Sequence, residues 1–175
     1  MLSRLKLILG MFALSINVMI LITVTAIVSL QWNEARAEQR LKHVTSDDVF
    51  CLQQNIYFEA HNQSVLGQVA VAWVTLNRMT DTSYPNSICK VVWQNKQFSW
   101  THDGKSDKPG KTKLEQRAWE DAGLVAQIVL LDWARANNSP ISEAIMYHAN
   151  YVDPYWTDSY VEVIVIDDHI FYEKG

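Results

Sequence analysis

The stretch Cys51–Arg78, CLQQNIYFEAHNQSVLGQVAVAWVTLNR, decides the fold. Leu52, Ile56 and Tyr57 or Phe58 recur at helical spacing before Glu59; Leu66, Val69, Ala70, Trp73, Val74 and Leu76 do so after it. Between the two patterns lie His61, Asn62, Gln63 and Ser64, of which Asn62 or Ser64 is placed to cap the second helix. One carboxylate, Glu59, therefore stands at the seam between an apolar helix and a polar turn. A carboxyl lodged against apolar neighbours is held protonated by desolvation, which suits it to general-acid work near neutral pH. A glutamate at a helix end is more often a solvated surface group, so position alone leaves both readings open.

Downstream, Pro85-Asn86 turns the chain into a short helix over Ser87–Gln94. The polar stretch NKQFSWTHDGKSDKPGKTK, 95–113, carries Gly104, Pro109 and Gly110 and reads as a surface loop, one wall of a cleft. Its DGKSD matches half of a calcium loop but lacks the remaining ligands, so no metal is expected there. Thr112–Ala136 is the longest amphipathic pattern and is expected to be the central buried helix. Val161–Ile166 is rich in β-branched residues, and Asp167-Asp168 forms a turn before His169–Tyr172, which predicts a hairpin. The fold class that results is α+β, mostly α, with a small C-terminal β-hairpin.

Upstream, Leu7–Leu30 is a run of 24 residues without a charge, preceded by Arg4 and Lys6. At a rise of about 1.5 Å per residue it reaches roughly 36 Å, enough to cross a bilayer core of about 30 Å. The flanking bases keep the N-terminus in the cytoplasm and export the remainder. Residues 1–32 are thus expected to be a signal-anchor segment that contacts the cytoplasmic membrane through 7–30, residues 33–46 a tether, and 47–175 the working domain. The rivals are cleavage after Ala37, in an Ala-x-Ala pattern with Ala35, and a signal that later leaves the membrane.

Of the 15 basic residues, 13 follow the apolar run, against 19 acids, so the exported part carries a formal charge near −6. Such a domain has no electrostatic footprint for nucleic acid. A wall substrate would be held by local contacts, for which seven Trp and seven Tyr are suited, although many of these will be core. The two cysteines, Cys51 and Cys89, read as a disulfide in an exported chain, closing a loop worth about 4 kcal/mol; two buried thiols are the alternative. No second Cys or His pair accompanies them, which argues against zinc.

Four segments, IYFEA, GQVAVAWVTLNR, YPNSICKVVWQNKQFSW and MYHANYVDPYW with HIFY, resemble in this order the spore-cortex-lytic (SleB-like) cell-wall hydrolase family, over about Asp47–Tyr172. The resemblance implies a lysozyme-like domain acting on peptidoglycan glycan strands, and the domain is expected to be a monomer without cofactors. It also implies lytic transglycosylase chemistry, in which Glu59 protonates the leaving oxygen and then deprotonates the muramyl C6 hydroxyl. Gln97, Phe98, Tyr147, His148 and Trp156 match its QFS, YHA and P-x-W segments and are expected to bind substrate. Asn77 is expected to orient Glu59 or the sugar, or to bond to nearby backbone. His148 and His169 are expected to be structural rather than metal ligands. Asp103, Asp153 and Asp158 are candidates for a second carboxylate, which would turn the reaction into a muramidase-type hydrolysis. His61 stands where the family has arginine, and NNSPISEAIM lacks the expected glycine turn; these departures keep a non-catalytic glycan-binding module as the alternative. A host remodelling enzyme and a phage lysis protein remain equally compatible with these residues.

Overall fold

Among the described residues, four α-helices, two short 3-10 turns and three strands follow one long N-terminal helix, whose C-terminal end lies on the last of those helices. The computed structural model describes residues 2–175, with side chains from Ile16 onward. Helix α1 runs Leu2–Leu41, α2 Ser46–Ala60, α3 Val65–Thr80, α4 Ile88–Val92 and α5 Lys113–Ala134. Strands β1 (Met146–Ala149), β2 (Tyr160–Ile166) and β3 (His169–Lys174) form one antiparallel sheet in the order β1-β3-β2. The expected hairpin is therefore present and gains a third strand, made by the MYHA segment. Four residues are too few for period-two alternation to stand out in sequence.

Capping fixes the helix starts. Thr45 caps α2: its hydroxyl accepts from the Asp48 amide while the Asp48 carboxylate receives the Thr45 amide. Ser64, not Asn62, caps α3 by accepting from the Gly67 amide. The Asp48 carboxylate also accepts from the Cys89 amide at 3.0 Å, beside the Cys51–Cys89 disulfide. The bridge ties α2 to α4, as read from the sequence.

The most buried helix is α3, where Ala70, Val71, Ala72, Val74 and Leu76 are wholly enclosed. Helix α5, expected to be central, buries only one face through Ala122, Val125, Ala126, Val129 and Leu130. Its Leu114, Leu124, Ile128 and Leu131 remain exposed. The sheet covers too little of α5 to enclose its second face, whereas α3 is flanked by α2, α4, α5 and β2.

The stretch read as a tether is helical to Leu41 and lies on the end of α5. Ala37 is buried, Glu34 pairs with Arg135 at 3.3 Å, and Arg40 donates to the Trp133 carbonyl at 3.0 Å. A cation on the last carbonyls of α5 is favourably placed against the helix dipole. Ile16–Leu41 is long and apolar enough to cross a membrane, and its apolar side chains up to Trp32 are exposed. Arg4, Lys6 and the run from Leu7 to Ser15 lie outside the residues whose side chains are described.

The tip of the hairpin is fastened to the start of α3. Asp167 takes a left-handed backbone (φ 49°), which aspartate tolerates, and its carboxylate accepts from the Ser64 amide and hydroxyl at 2.9 and 2.6 Å. A Cβ at Gly67 would stand 2.5 Å from that carboxylate, so this contact requires glycine. Gln63 adds a reciprocal pair with Asp168. The sheet is thereby set against the α2–α3 turn.

Reduction of Cys51–Cys89 is expected to lower the unfolding free energy by about 3–4 kcal/mol. Urea denaturation of the full chain in detergent, with and without reductant, measures this; a loss below about 1 kcal/mol would show that the bridge does not constrain the unfolded chain.

Candidate functional site

The last turn of α2 carries Glu59 next in the chain to buried Tyr57 and Ala60 and half-buried Phe58. Its carboxyl is half-buried, and Oε2 accepts a 2.9 Å hydrogen bond from the Tyr147 hydroxyl. Tyr147 arrives on β1, opposite Phe171 of β3, with the ring of His169 edge-on at 5.1 Å. Burial pushes the Glu59 carboxyl above the ordinary glutamate range; the Tyr147 hydroxyl and the charge of Arg78 pull in the opposite direction. Burial raises the Tyr147 phenol well above the usual tyrosine range, and adjacent Glu59 adds to this, so it remains a donor. The site is one carboxyl, dried by its surroundings and held by one hydroxyl.

Arg78 was missed in the sequence reading, which singled out its neighbour Asn77. It is only 3 % exposed, donates from Nε to the Ile145 carbonyl at 2.7 Å, and lies over the rings of Phe98 and Tyr84 at 5.0 and 5.6 Å. Its Nη1 has no hydrogen-bond partner among the described residues. The signal was present: Val71, Val74 and Arg78 fall at i, i+3 and i+7, which places the guanidinium on the buried face of α3. A buried cation beside a carboxyl and a phenol keeps the carboxyl from being pushed up as far as burial alone would take it.

The other expected site residues divide. Tyr147 joins Glu59. Phe98, only 2 % exposed, is core and carries the guanidinium of Arg78 rather than lining a cleft. Asn77 spends both amide hydrogens on the Ser142 and Ala144 carbonyls, on the wall of a polar depression of about 330 Å³ that Glu59 does not line. Gln97 is half-buried and donates its backbone amide to Gln94 within a turn. His148 and Trp156 come together, but with Tyr172, away from Glu59. The cause is the pleat: Tyr147 and His148 are consecutive on β1 and so face opposite sides of the sheet.

His61 closes α2, with Nδ1 2.7 Å from the Tyr57 carbonyl and its ring stacked on Tyr57; the cation that acts on Glu59 is Arg78. Asp103, Asp153 and Asp158 are exposed, and none is among the groups that set the proton affinity of Glu59. No cluster of three or more metal-ligating side chains occurs among the described residues.

The loop expected to flank the site is pinned to α2. Gln54 donates to the Asp107 carbonyl, the Gly110 amide donates to the Tyr57 hydroxyl, and the Trp100 indole donates to Asn55, which in turn donates to Thr75 of α3. Trp100 stacks on Phe58 at 4.7 Å, next to Glu59 in the chain. Every polar group of this thread has a partner, which is the condition for burying it.

A family model described as Cell Wall Hydrolase matches residues 62–172, beginning three residues after Glu59. Over 60 residues, 34 % of this chain, the sequence is 37 % identical to the spore cortex-lytic enzymes of Bacillus cereus and Bacillus subtilis. These matches cover 23 % and 20 % of the two relatives, so the chain matches less than a quarter of their length. Among solved structures, the catalytic domain of the Bacillus cereus SleB protein superposes with a TM-score of 0.54 at 25 % identity, covering 74 % of this chain and 92 % of that one. The catalytic domain of the germination-specific lytic transglycosylase SleB from Bacillus anthracis gives 0.56 at 25 %, covering 75 % and 98 %.

Because Glu59 binds its proton more tightly in the folded than in the unfolded chain, its contribution to stability is full below the unfolded value and is lost as pH rises through the folded one. Glu59→Gln cannot ionise, so its stability relative to the parent is expected to rise across that window. Tyr147→Phe removes a bond that favours the ionised form and should move the midpoint further up. Denaturant titrations at a series of pH values read both effects, and a parent–variant difference independent of pH would contradict the burial of this carboxyl.

Proposed function

Since the chain belongs to the cell wall hydrolase family, we propose that it is an enzyme that cleaves the glycan strands of peptidoglycan, with Glu59 as its general acid and base. The single observation that carries this reading is the half-buried Glu59 carboxyl, raised by burial and held at 2.9 Å by Tyr147. Breaking a glycosidic bond needs a proton on the departing oxygen, and a carboxyl with raised proton affinity holds one near neutral pH.

Lytic transglycosylation of the N-acetylmuramyl-β-1,4-N-acetylglucosamine bond is the finer reading. An intramolecular attack by the muramyl C6 hydroxyl needs one group that first gives and then takes a proton. Among the described residues the side-chain hydrogen bond to Glu59 comes from the Tyr147 hydroxyl, and Asp103, Asp153 and Asp158 are all exposed, which favours this over a two-carboxylate hydrolysis. The lytic transglycosylase named in the description of the Bacillus anthracis domain supports the same choice. Tyr147 orients the carboxyl, and Arg78 steadies the ionised form between the two proton transfers.

The exposed apolar helix from Ile16 supports a domain exported and held at the outer face of the cytoplasmic membrane, with export after cleavage near Ala37 as the second route. Since Ala37 is buried against α5 in the folded chain, cleavage there would have to precede folding.

Glu59→Gln is expected to slow lysis of purified sacculi by about 10²–10⁴-fold while the fold is kept. Mass spectrometry of the soluble products from the parent should show 1,6-anhydro ends. Reducing ends would instead assign hydrolysis, and undiminished lysis by Glu59→Gln would remove Glu59 from the chemistry.

A further inference from the structure

The sheet face turned away from Glu59 carries an aromatic group that the proposed chemistry does not use. Trp156 stands edge-on to His148, Tyr160 and Tyr172, with centroids 5.5, 5.7 and 5.4 Å away and interplanar angles of 76–86°. His148 in turn stacks on Tyr172 at 5.3 Å, and its Nε2 lies 2.9 Å from the Tyr172 hydroxyl. The indole is thus locked in place by its neighbours. The segment that delivers it, Asn150–Trp156, leaves Tyr155 94 % and Tyr151 82 % exposed, with Val152 also exposed between them. Isolated exposed aromatics are ordinary, but here two exposed tyrosines and a fixed tryptophan fall within six consecutive residues, Tyr151 to Trp156.

The charges around the patch select its occupant. From Asn150 to Tyr172 the chain has five acids and no lysine or arginine. Anionic lipid and nucleic acid are therefore repelled. Two carboxylates belong to the same segments: Glu162 pairs directly across the strands with Tyr172, and Asp153 lies between the two exposed tyrosines in sequence. The centre of a protein–protein interface is depleted of such charges. A pyranose ring fits both features, offering an apolar C–H face to the aromatic rings and hydroxyl donors to the carboxylates. The patch also adjoins the proposed site, because β1 is a free edge of the sheet and presents Tyr147 to Glu59 on one side and His148 on the other. A polymer passing over this edge meets both surfaces.

We infer that Tyr151, Tyr155 and Trp156 form a second glycan-binding surface, on the sheet face opposite Glu59, that grips an uncharged stretch of an amino-sugar strand apart from the bond being cut. It is a holding surface for a polymeric substrate, and it goes beyond the proposed catalysis by giving the strand a second point of attachment.

The test uses the full chain in detergent, in the Glu59→Gln background so that binding is read without turnover. Tyr151→Ala/Tyr155→Ala changes only exposed side chains, and near-UV circular dichroism verifies its fold. Co-sedimentation with purified sacculi is expected to weaken about five- to tenfold in this variant, and a neutral N-acetylglucosamine tetramer is expected to compete for the parent. A loss smaller than twofold overturns the inference. So does displacement by poly-lysine but not by the neutral tetramer, which would mark an acidic surface for a basic partner. The role of Glu59 is judged separately, by whether Glu59→Gln still lyses sacculi, so the two readings fail independently.

Discussion

A carboxyl removed from water at the end of a helix, and met there by the hydroxyl of one tyrosine from a sheet, is the constraint around which the domain is arranged. Glu59 gains proton affinity from burial and loses part of it to Tyr147 and Arg78. Neither partner lies near it in sequence: Arg78 comes from the next helix, and Tyr147 from a strand 88 residues on. The fold must therefore hold α2, α3 and β1 in fixed relation. The Asp167 carboxylate on the start of α3 does this from the sheet side, and the Cys51–Cys89 bridge holds α2 to α4, which itself packs against α3.

The surrounding polar groups serve the same end. A buried guanidinium is costly unless it is bonded and paired. Arg78 is bonded to the Ile145 carbonyl, one residue before β1 begins, and lies over two aromatic rings. The same group that modulates Glu59 thus also fixes the start of the strand that brings Tyr147. Asn55, Thr75 and Trp100 form a second thread that fastens the long loop to α2 and α3. Electrostatics and position are here set by the same contacts.

The sheet is only three strands wide, yet it divides the aromatic residues of the C-terminal half into two groups with different surroundings. Tyr147, Phe171 and His169 face the core and Glu59, while His148, Tyr172 and Trp156 face outward. Burial raises the Tyr147 phenol well above the usual tyrosine range on one side, and it also raises the Tyr172 phenol on the other, where Tyr172 is covered by His148 and Trp156. One short segment, MYHA, supplies both sides because alternate residues of a strand point oppositely.

Periodicity and capping chemistry are local, and so the sequence alone determined that the chain is mostly helical, that α2 ends with Glu59 just before the polar turn into α3, and that a hairpin turns at Asp167-Asp168. It also marked the long apolar N-terminal run and the acidic charge of the rest, since both follow from composition. Which long helix is central, whether 33–41 is a loose tether, and which matched residues share a site were decided only by the tertiary structure. Phe98 and Arg78 show why: the spacing of Arg78 puts it on the buried face of its helix, but nothing local in either segment says that a phenylalanine from a polar loop will be stacked against it. Desolvation and pairing depend on atoms brought from distant parts of the chain, and no spacing rule within one segment contains that information.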